Sequence, residues 1–143
     1  MDLAIGLRNL GEVERALDAG AARQHYQEAV ALLRTLDQPL RLAHTIRHLG
    51  DVYHDEREAN LAESCYDEAL ELYRRHGRPE PLDLANAIRS MAVLKEEKGD
   101  VESARRLWDE ARSLYTVVGI PEAIVETRAR LTRLAGRQGE IQE

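Results

Sequence analysis

The sequence predicts an all-α fold in which pairs of helices repeat along the chain as a solenoid. Residues 39–80 and 81–122 align without a gap at an offset of 42, and gap-free periods of this length are typical of helical repeats. Apolar residues recur at three- and four-residue spacing, and no segment alternates as a strand would. Identical pairs at this offset include Ala43/Ala85, Ile46/Ile88, Arg47/Arg89, Ala62/Ala104, Tyr73/Tyr115 and Gly77/Gly119.

The repeat 39–80 has the pattern of two amphipathic helices. The first carries its apolar face over 46–53, a polar turn follows at 55–58, and the second helix carries its apolar face over 62–73. Gly77 predicts a left-handed helix end, because glycine adopts positive φ without steric cost.

The repeat 81–120 follows the same plan. We expect Asp83 to cap its first helix by accepting a hydrogen bond from a free backbone N–H. Gly99 and Asp100 pair a helix end with a new N-cap, and Gly119 ends the second helix. Pro121 then suits the first turn of another helix, where its missing N–H costs nothing.

The chain is therefore predicted to be one domain, 1–143, with seven helices. The first pair is one residue shorter in its inter-helix turn, and the last helix has a single apolar stripe, as a terminal capping helix requires. Gly136 is expected to end that helix. The predicted boundaries are about 2–38, 39–80 and 81–120 for the three pairs and 121–136 for the capping helix.

Composition narrows the classes of function. The 143 residues carry a formal net charge of −6, which argues against general nucleic-acid binding, since that requires basic patches. No apolar run approaches the roughly 18 residues that span a bilayer, and the N-terminus lacks the pattern of a secretory signal. Cys65 is the only cysteine, which excludes an internal disulfide. We expect a cytoplasmic protein without a cofactor and without membrane binding.

The repeats resemble the tetratricopeptide repeat (TPR) family. That family's pattern is a large residue, Leu-Gly, Tyr, and later Ala, an aromatic residue and Ala. The clearest match reads Ile46-x-x-Leu49-Gly50-x-x-Tyr53 and then Ala62-x-x-x-Tyr66-x-x-Ala69. Its counterparts read Leu7-x-x-Leu10-Gly11 with Ala22-x-x-x-Tyr26-x-x-Ala29, and Ile88-x-x-Met91-Ala92 with Ala104-x-x-x-Trp108-x-x-Ala111.

The resemblance implies a right-handed α-solenoid of three TPR helix pairs plus a C-terminal capping helix. A period of 42 rather than 34 resembles the long repeats of kinesin light chains and of many bacterial regulatory proteins. It further implies a non-enzymatic module that binds a protein or peptide in a concave groove. The groove residues implied by the family are Arg8, Asn9, Glu12, His44, Arg47, His48, Asp51, Asn86, Arg89 and Ser90, together with Ile5 and Val93.

Arg8, Arg47 and Arg89 occupy the same position in three successive repeats. A solenoid would stack them into a ladder suited to an acidic ligand, because arginine forms bidentate bonds with carboxylates. The alternative is ordinary intrahelical pairing, since Glu12 and Asp51 lie four residues after Arg8 and Arg47. Arg89 faces Val93 and lacks such a partner on its own helix. The family's clamp for chaperone C-termini is not matched.

Other candidate chemistry is weaker. His44, His48, Asp51 and Asp55 share one helix face, and two histidines one turn apart can ligate zinc or nickel. Metal sites usually draw ligands from several elements, so we predict no metal site. Cys65 is isolated, and no nucleophile–base arrangement or phosphate loop is present, so we predict no enzymatic activity.

The N-terminal end suggests a different mode of action. Leu3 and Ile5 are apolar and precede the first predicted repeat motif. An uncapped solenoid end tends to pair with another chain. The sequence thus leaves two alternatives open, a groove-binding module with a possible weak homodimer, or a scaffolding fragment of a larger regulatory protein that uses its ends.

Overall fold

Six helices make up the part of the chain that the structure describes. The computed structural model describes the backbone of residues 19–142 and the side chains of 20–137, and no strand occurs in this part. The first helix of the predicted N-terminal repeat lies outside the described residues. The helices are α1 (Ala19–Arg34), α2 (Pro39–Asp55), α3 (Ala59–Arg75), α4 (Pro81–Glu97), α5 (Val101–Val118) and α6 (Pro121–Gln142).

Proline and glycine set most helix boundaries. Helices α2, α4 and α6 each begin at a proline, whose fixed φ suits the first helical position. Gly77, Gly99 and Gly119 follow α3, α4 and α5 with φ of 83°, 80° and 83°, as the sequence predicts. Asp100 caps α5, accepting a hydrogen bond from the backbone N–H of Ser103 at 3.2 Å.

Two boundary predictions are wrong. Helix α4 has Glu80 at its N-cap without a side-chain cap bond, and Asp83 lies in the first turn. Pro81 is the first helical residue, so the N-cap lies three residues earlier than predicted, and Asp83 instead places negative charge near the helix N-terminus. Helix α6 continues through Gly136 to Gln142. Gly136 has no left-handed φ, and an interior glycine costs only about 1 kcal/mol relative to alanine.

The chain divides into two compact units, Met1–Pro79 and Glu80–Glu143. In unit 1, α2 packs against both α1 and α3. Its core joins the small and aromatic residues of the repeat pattern, with Tyr26 and Tyr66 both buried. In unit 2, α5 packs against α4 and α6. Trp108 is fully buried there beside Leu134 of α6, so both units use the repeat's aromatic position for packing.

Gly50 permits a close approach of α2 and α3 in unit 1. A Cβ at this position would lie 2.6 Å from Cε1 and 2.9 Å from Cδ1 of Tyr66. Because Tyr66 is buried, its ring could not move aside freely. The Leu-Gly element of the repeat pattern is thus a steric requirement of the α2–α3 contact.

Candidate partner-binding surface

The predicted groove residues fall into three groups. Arg8, Asn9 and Glu12 lie outside the described residues, as do Leu3 and Ile5 of the predicted dimerisation end. The remaining residues lie on the first helices of two repeats. Unit 1 holds His44, Arg47, His48 and Asp51 on α2, and unit 2 holds Asn86, Arg89 and Ser90 on α4.

In unit 1, Arg47 belongs to a largely buried polar cluster. Its Nη1 lies 3.1 Å from Oδ2 of Asp51, and both side chains are only 12% exposed. The hydroxyl of Tyr66 donates to Oδ1 of the same carboxylate at 2.6 Å. The i,i+4 ion pair expected from the sequence is therefore present. Because it is buried and shared with an aromatic hydroxyl, removing one member would leave a charge or donor unpaired.

Two histidines extend this cluster. Nε2 of His44 and Nε2 of His48 lie 3.2 Å apart, and Nη2 of Arg47 lies 3.2 Å from Nε2 of His48. The ring of Tyr26 stacks on His48 at 5.7 Å with an interplanar angle of 4°. Among the residues whose side chains the structure describes, 20–137, no group of three or more potential metal ligands occurs. The arginine next to His48 places positive charge where a cation would bind.

In unit 2, Arg89 forms a bidentate ion pair that the sequence did not reveal. Its Nε and Nη2 donate to the two carboxylate oxygens of Glu126 at 2.6 and 2.8 Å. The hydrogen bond from Arg89 holds the pKa of Glu126 below its usual range, aided by the charges of Arg89 and Arg130 and opposed by partial burial. Arg89 is followed four residues later by Val93, so it has no acidic partner there. The carboxylate that pairs with Arg89 belongs to Glu126 on α6 instead.

Asn86 contributes to packing between helices. Its side-chain oxygen accepts a hydrogen bond from the hydroxyl of Tyr115 at 2.6 Å, which joins α4 to α5. Tyr115 is buried, so this bond satisfies a polar atom of the core. Ser90, one turn further along α4, is half-buried.

Glu96 is the centre of a second cluster in unit 2. Its side chain is 6% exposed and receives hydrogen bonds from Nε1 of Trp108 at 2.7 Å, from Arg130 at 3.0 Å and from Arg133. The Arg130 guanidinium also lies 5.1 Å from the centre of the Trp108 ring. Burial alone would raise the pKa of Glu96, but the bonds from Arg133 and Trp108 and the charges of both arginines lower it.

This cluster was missed because its members lie on three helices. The only sequence signal for this cluster is the pair of arginines on α6, Arg130 and Arg133. That pattern is equally typical of a solvent-exposed helix face. Burial of Trp108 requires an acceptor for its indole N–H, and Glu96 lies at the end of α4 where it can provide one. Finding the pair therefore requires the helix geometry.

Cys65 is half-buried beside Gly50. Burial raises the pKa of its thiol to about 11, with a further increase from Glu68 and an opposing effect of Arg34. The thiol is therefore protonated at neutral pH, a state unsuited to nucleophilic attack or metal binding.

The architecture is that of a TPR-type helical-repeat protein, which confirms the all-α solenoid predicted from the sequence. No family model and no curated protein matches the chain. Among solved structures, BtubC (BKLC) from P. vanneervenii superposes with a TM-score of 0.84 at 19% identity over 98% of this chain. The match covers 58% of BtubC, so this chain spans little more than half its length.

A second similar structure is the N-terminal domain of stress-induced protein-1 (STI-1) from C. elegans. It superposes with a TM-score of 0.65 at 19% identity, covering 89% of this chain and 93% of that domain. At such low identity the two likenesses establish the fold and leave the binding residues to be argued from this chain. None of the described helices has the length and apolar character needed to cross a bilayer.

Proposed function

We propose that the protein is a non-enzymatic protein-interaction module that binds an acidic peptide or helix on the concave face formed by the first helices of its repeats. The TPR-type fold supports a role in protein interaction. The groove comprises the residues named from the family resemblance: Arg8, Asn9, Glu12, His44, Arg47, His48, Asp51, Asn86, Arg89 and Ser90. The protonated Cys65 thiol supports a role without covalent catalysis.

The observation that carries the proposal is the bond between Arg89 and Glu126. It demonstrates that the guanidinium on α4 can hold a carboxylate in bidentate geometry at a partly exposed position, since Arg89 is 40% exposed. Arg47 is largely buried and holds Asp51, so its contribution to a ligand is smaller. We therefore place the main carboxylate contact at Arg89, where a ligand carboxylate would replace that of Glu126.

The proposal can be tested by measuring the affinity of a panel of acidic peptides for the wild type and for Arg89→Glu. Peptide binding and its salt dependence should be lost in Arg89→Glu and in the double variant Arg47→Glu/Arg89→Glu. Arg75→Glu is the matched control, because Arg75 is an exposed arginine paired within its own helix to Glu71. Unchanged binding and salt dependence in both groove variants would contradict the groove mechanism.

Glu126→Gln provides a test in the opposite direction. Removing the intramolecular carboxylate charge should strengthen binding of an acidic peptide by about threefold to tenfold, since the ligand no longer competes with a charged partner. A purely structural role of the ion pair predicts reduced stability without tighter binding. Isothermal titration of one peptide against both proteins separates these outcomes.

A further inference from the structure

A groove of about 480 Å³ lies along α5 and α6 in unit 2. Its described lining consists of Arg105, Arg106, Asp109 and Arg112 from α5 and Leu131 from α6. Three arginines and one aspartate give a formal charge of +2 (3 − 1), whereas the whole chain carries −6. The four charged residues are exposed, and Leu131 is half-buried. The groove thus combines an apolar floor with a charge opposite to that of the chain.

The corresponding helices in unit 1 are covered by a further helix. There α1 is followed by α2, and α3 packs on α2. Glu68 of α3 also accepts two hydrogen bonds from Arg34 of α1, at 2.7 and 2.8 Å. In unit 1, the α1–α2 pair is therefore packed against a third helix, α3, and an arginine–carboxylate bond joins α1 to α3. In unit 2, α6 is the last described helix, and the described residues supply no counterpart of α3.

The second helix of the repeat differs in charge between α5 and the other two described second helices, α1 and α3. Arg106 falls on Gln24 and Ser64, and Arg112 falls on the buried Val30 and Leu70, whereas Arg105 falls on Arg23 of α1 and on Glu63 of α3. The fold therefore does not require positive charge at positions 106 and 112. Complementary charge governs partner choice and association rate more than it governs folding. Arg106 and Arg112 therefore distinguish α5 as the helix suited to an acidic partner.

We propose that the α5–α6 groove docks an amphipathic helix of a partner protein, with carboxylates against Arg106 and Arg112 and apolar side chains over Leu131. Arg112 is paired with Asp109 at 2.9 Å, but both side chains are exposed. Exposed pairs of this kind contribute little stability, so a ligand carboxylate can replace Asp109 at small cost. This surface is separate from Arg47 and Arg89 and does not depend on the function proposed above.

A peptide with the sequence of α3, residues 59–75 with Cys65→Ser, is a suitable probe. It is the helix that occupies the equivalent place in unit 1, and it combines acidic residues with an apolar stripe. Labelled with fluorescein, it should bind the full chain with Kd on the order of 10 µM, a value typical of helix-in-groove recognition without extensive burial. Arg106→Glu/Arg112→Glu should weaken binding at least about tenfold, since each arginine would become a repulsive charge.

Three controls keep the result specific. Arg75→Glu, which changes an exposed arginine with an intrahelical pair in unit 1, should change the Kd less than about twofold, since Arg75 does not line this groove. A peptide with every side-chain carboxylate replaced by the corresponding amide should bind at least about tenfold more weakly. Circular dichroism should show unchanged helicity in the double variant, because both arginines are exposed.

The proposal is overturned by any of three results. These are absence of binding up to about 1 mM, equal binding by Arg106→Glu/Arg112→Glu, and equal binding of the uncharged peptide. Competition by a short single-stranded DNA as effective as the unlabelled peptide would also overturn it, since the groove would then recognise anionic charge without the helix.

Discussion

The two units bury the same repeat position, Tyr66 in one and Trp108 in the other, and satisfy its polar atom in different ways. Tyr66 donates to Asp51, whose charge is balanced by Arg47 on the same helix. Trp108 donates to Glu96, whose charge is balanced by Arg130 and Arg133 on α6. The bonds to Asp51 thus join the two helices of one repeat, whereas the bonds to Glu96 also reach the last described helix.

Ring size accounts for part of this difference. Tyr66 lies so close to α2 that only Gly50 fits, and its hydroxyl reaches the adjacent Asp51. At the equivalent place in unit 2 stand Ala92 and Val93, so a Cβ is accommodated there and no acid is adjacent. The indole N–H of Trp108 instead reaches Glu96, one turn further along. Each aromatic residue therefore determines where a buried carboxylate is needed.

The largest expected effect follows from Glu96→Ala. It removes the acceptor of Trp108 and the counter-charge of two arginines, and losing one member of a buried charge network costs about 3 kcal/mol or more. Partial exposure of the arginines brings our expectation to about 2–3 kcal/mol. Hydrogen exchange should show faster opening of α6, whereas Asp51→Ala should leave α6 exchange unchanged. Equal exchange of α6 in both variants would contradict the contrast between the clusters.

The second largest effect is expected for Gly50→Ala. The new Cβ would overlap the buried Tyr66 ring, and such overpacking costs about 1–3 kcal/mol. The reciprocal change Ala92→Gly should cost about 1 kcal/mol, mainly through lower helix propensity. Urea denaturation of the two variants measures both values. If Gly50→Ala left the free energy of unfolding unchanged, the Tyr66 ring would not lie against α2 closely enough to require glycine.

Acid should weaken unit 2 through Glu96. Its pKa is lowered in the folded state, so its contribution is fully present above the unfolded value of about 4.3 and is lost as pH falls through the folded pKa. Thermal unfolding between pH 6 and pH 3 should therefore depend less steeply on pH in Glu96→Gln than in the wild type. Identical slopes would mean that Glu96 makes no such contribution.

The smallest effect concerns the turns between paired helices. Arg57 has φ of 62° in the α2–α3 turn, and Gly99 has φ of 80° at the equivalent place in the α4–α5 turn. A non-glycine residue in this conformation is strained by about 1–2 kcal/mol, partly offset by the greater freedom of glycine in the unfolded chain. We expect Arg57→Gly to stabilise the protein by about 0.5 kcal/mol and Gly99→Ala to destabilise it. A lower Tm for Arg57→Gly would contradict this.

Local patterns in the sequence were sufficient to predict the six described helices and the faces that they bury. Gly77, Gly99 and Gly119 each adopt a positive φ just after a helix. A helix end of this kind involves only residues close in sequence, so it can be predicted from the position of glycine after the apolar helix pattern. The same applies to the i,i+4 pair of Arg47 and Asp51. The end of α6 was mispredicted because glycine is only a weak helix breaker when its φ stays negative.

Contacts between distant helices could not be predicted in this way. Glu126 lies 37 residues from Arg89, and Arg133 lies 37 residues from Glu96. Many acids and bases on neighbouring helices satisfy such a separation, and the choice depends on helix orientation and side-chain reach. The predicted groove residues therefore included Arg89 on α4 but not the carboxylate that it holds.

The contacts around His48 couple the hydrogen positions of the two imidazoles. A guanidinium has only donors, so Nη2 of Arg47 can hydrogen-bond Nε2 of His48 only when that nitrogen bears no hydrogen. The contact between the two Nε2 atoms then requires a hydrogen on Nε2 of His44. ¹⁵N chemical shifts of the two rings would test whether the pair adopts these opposite tautomers.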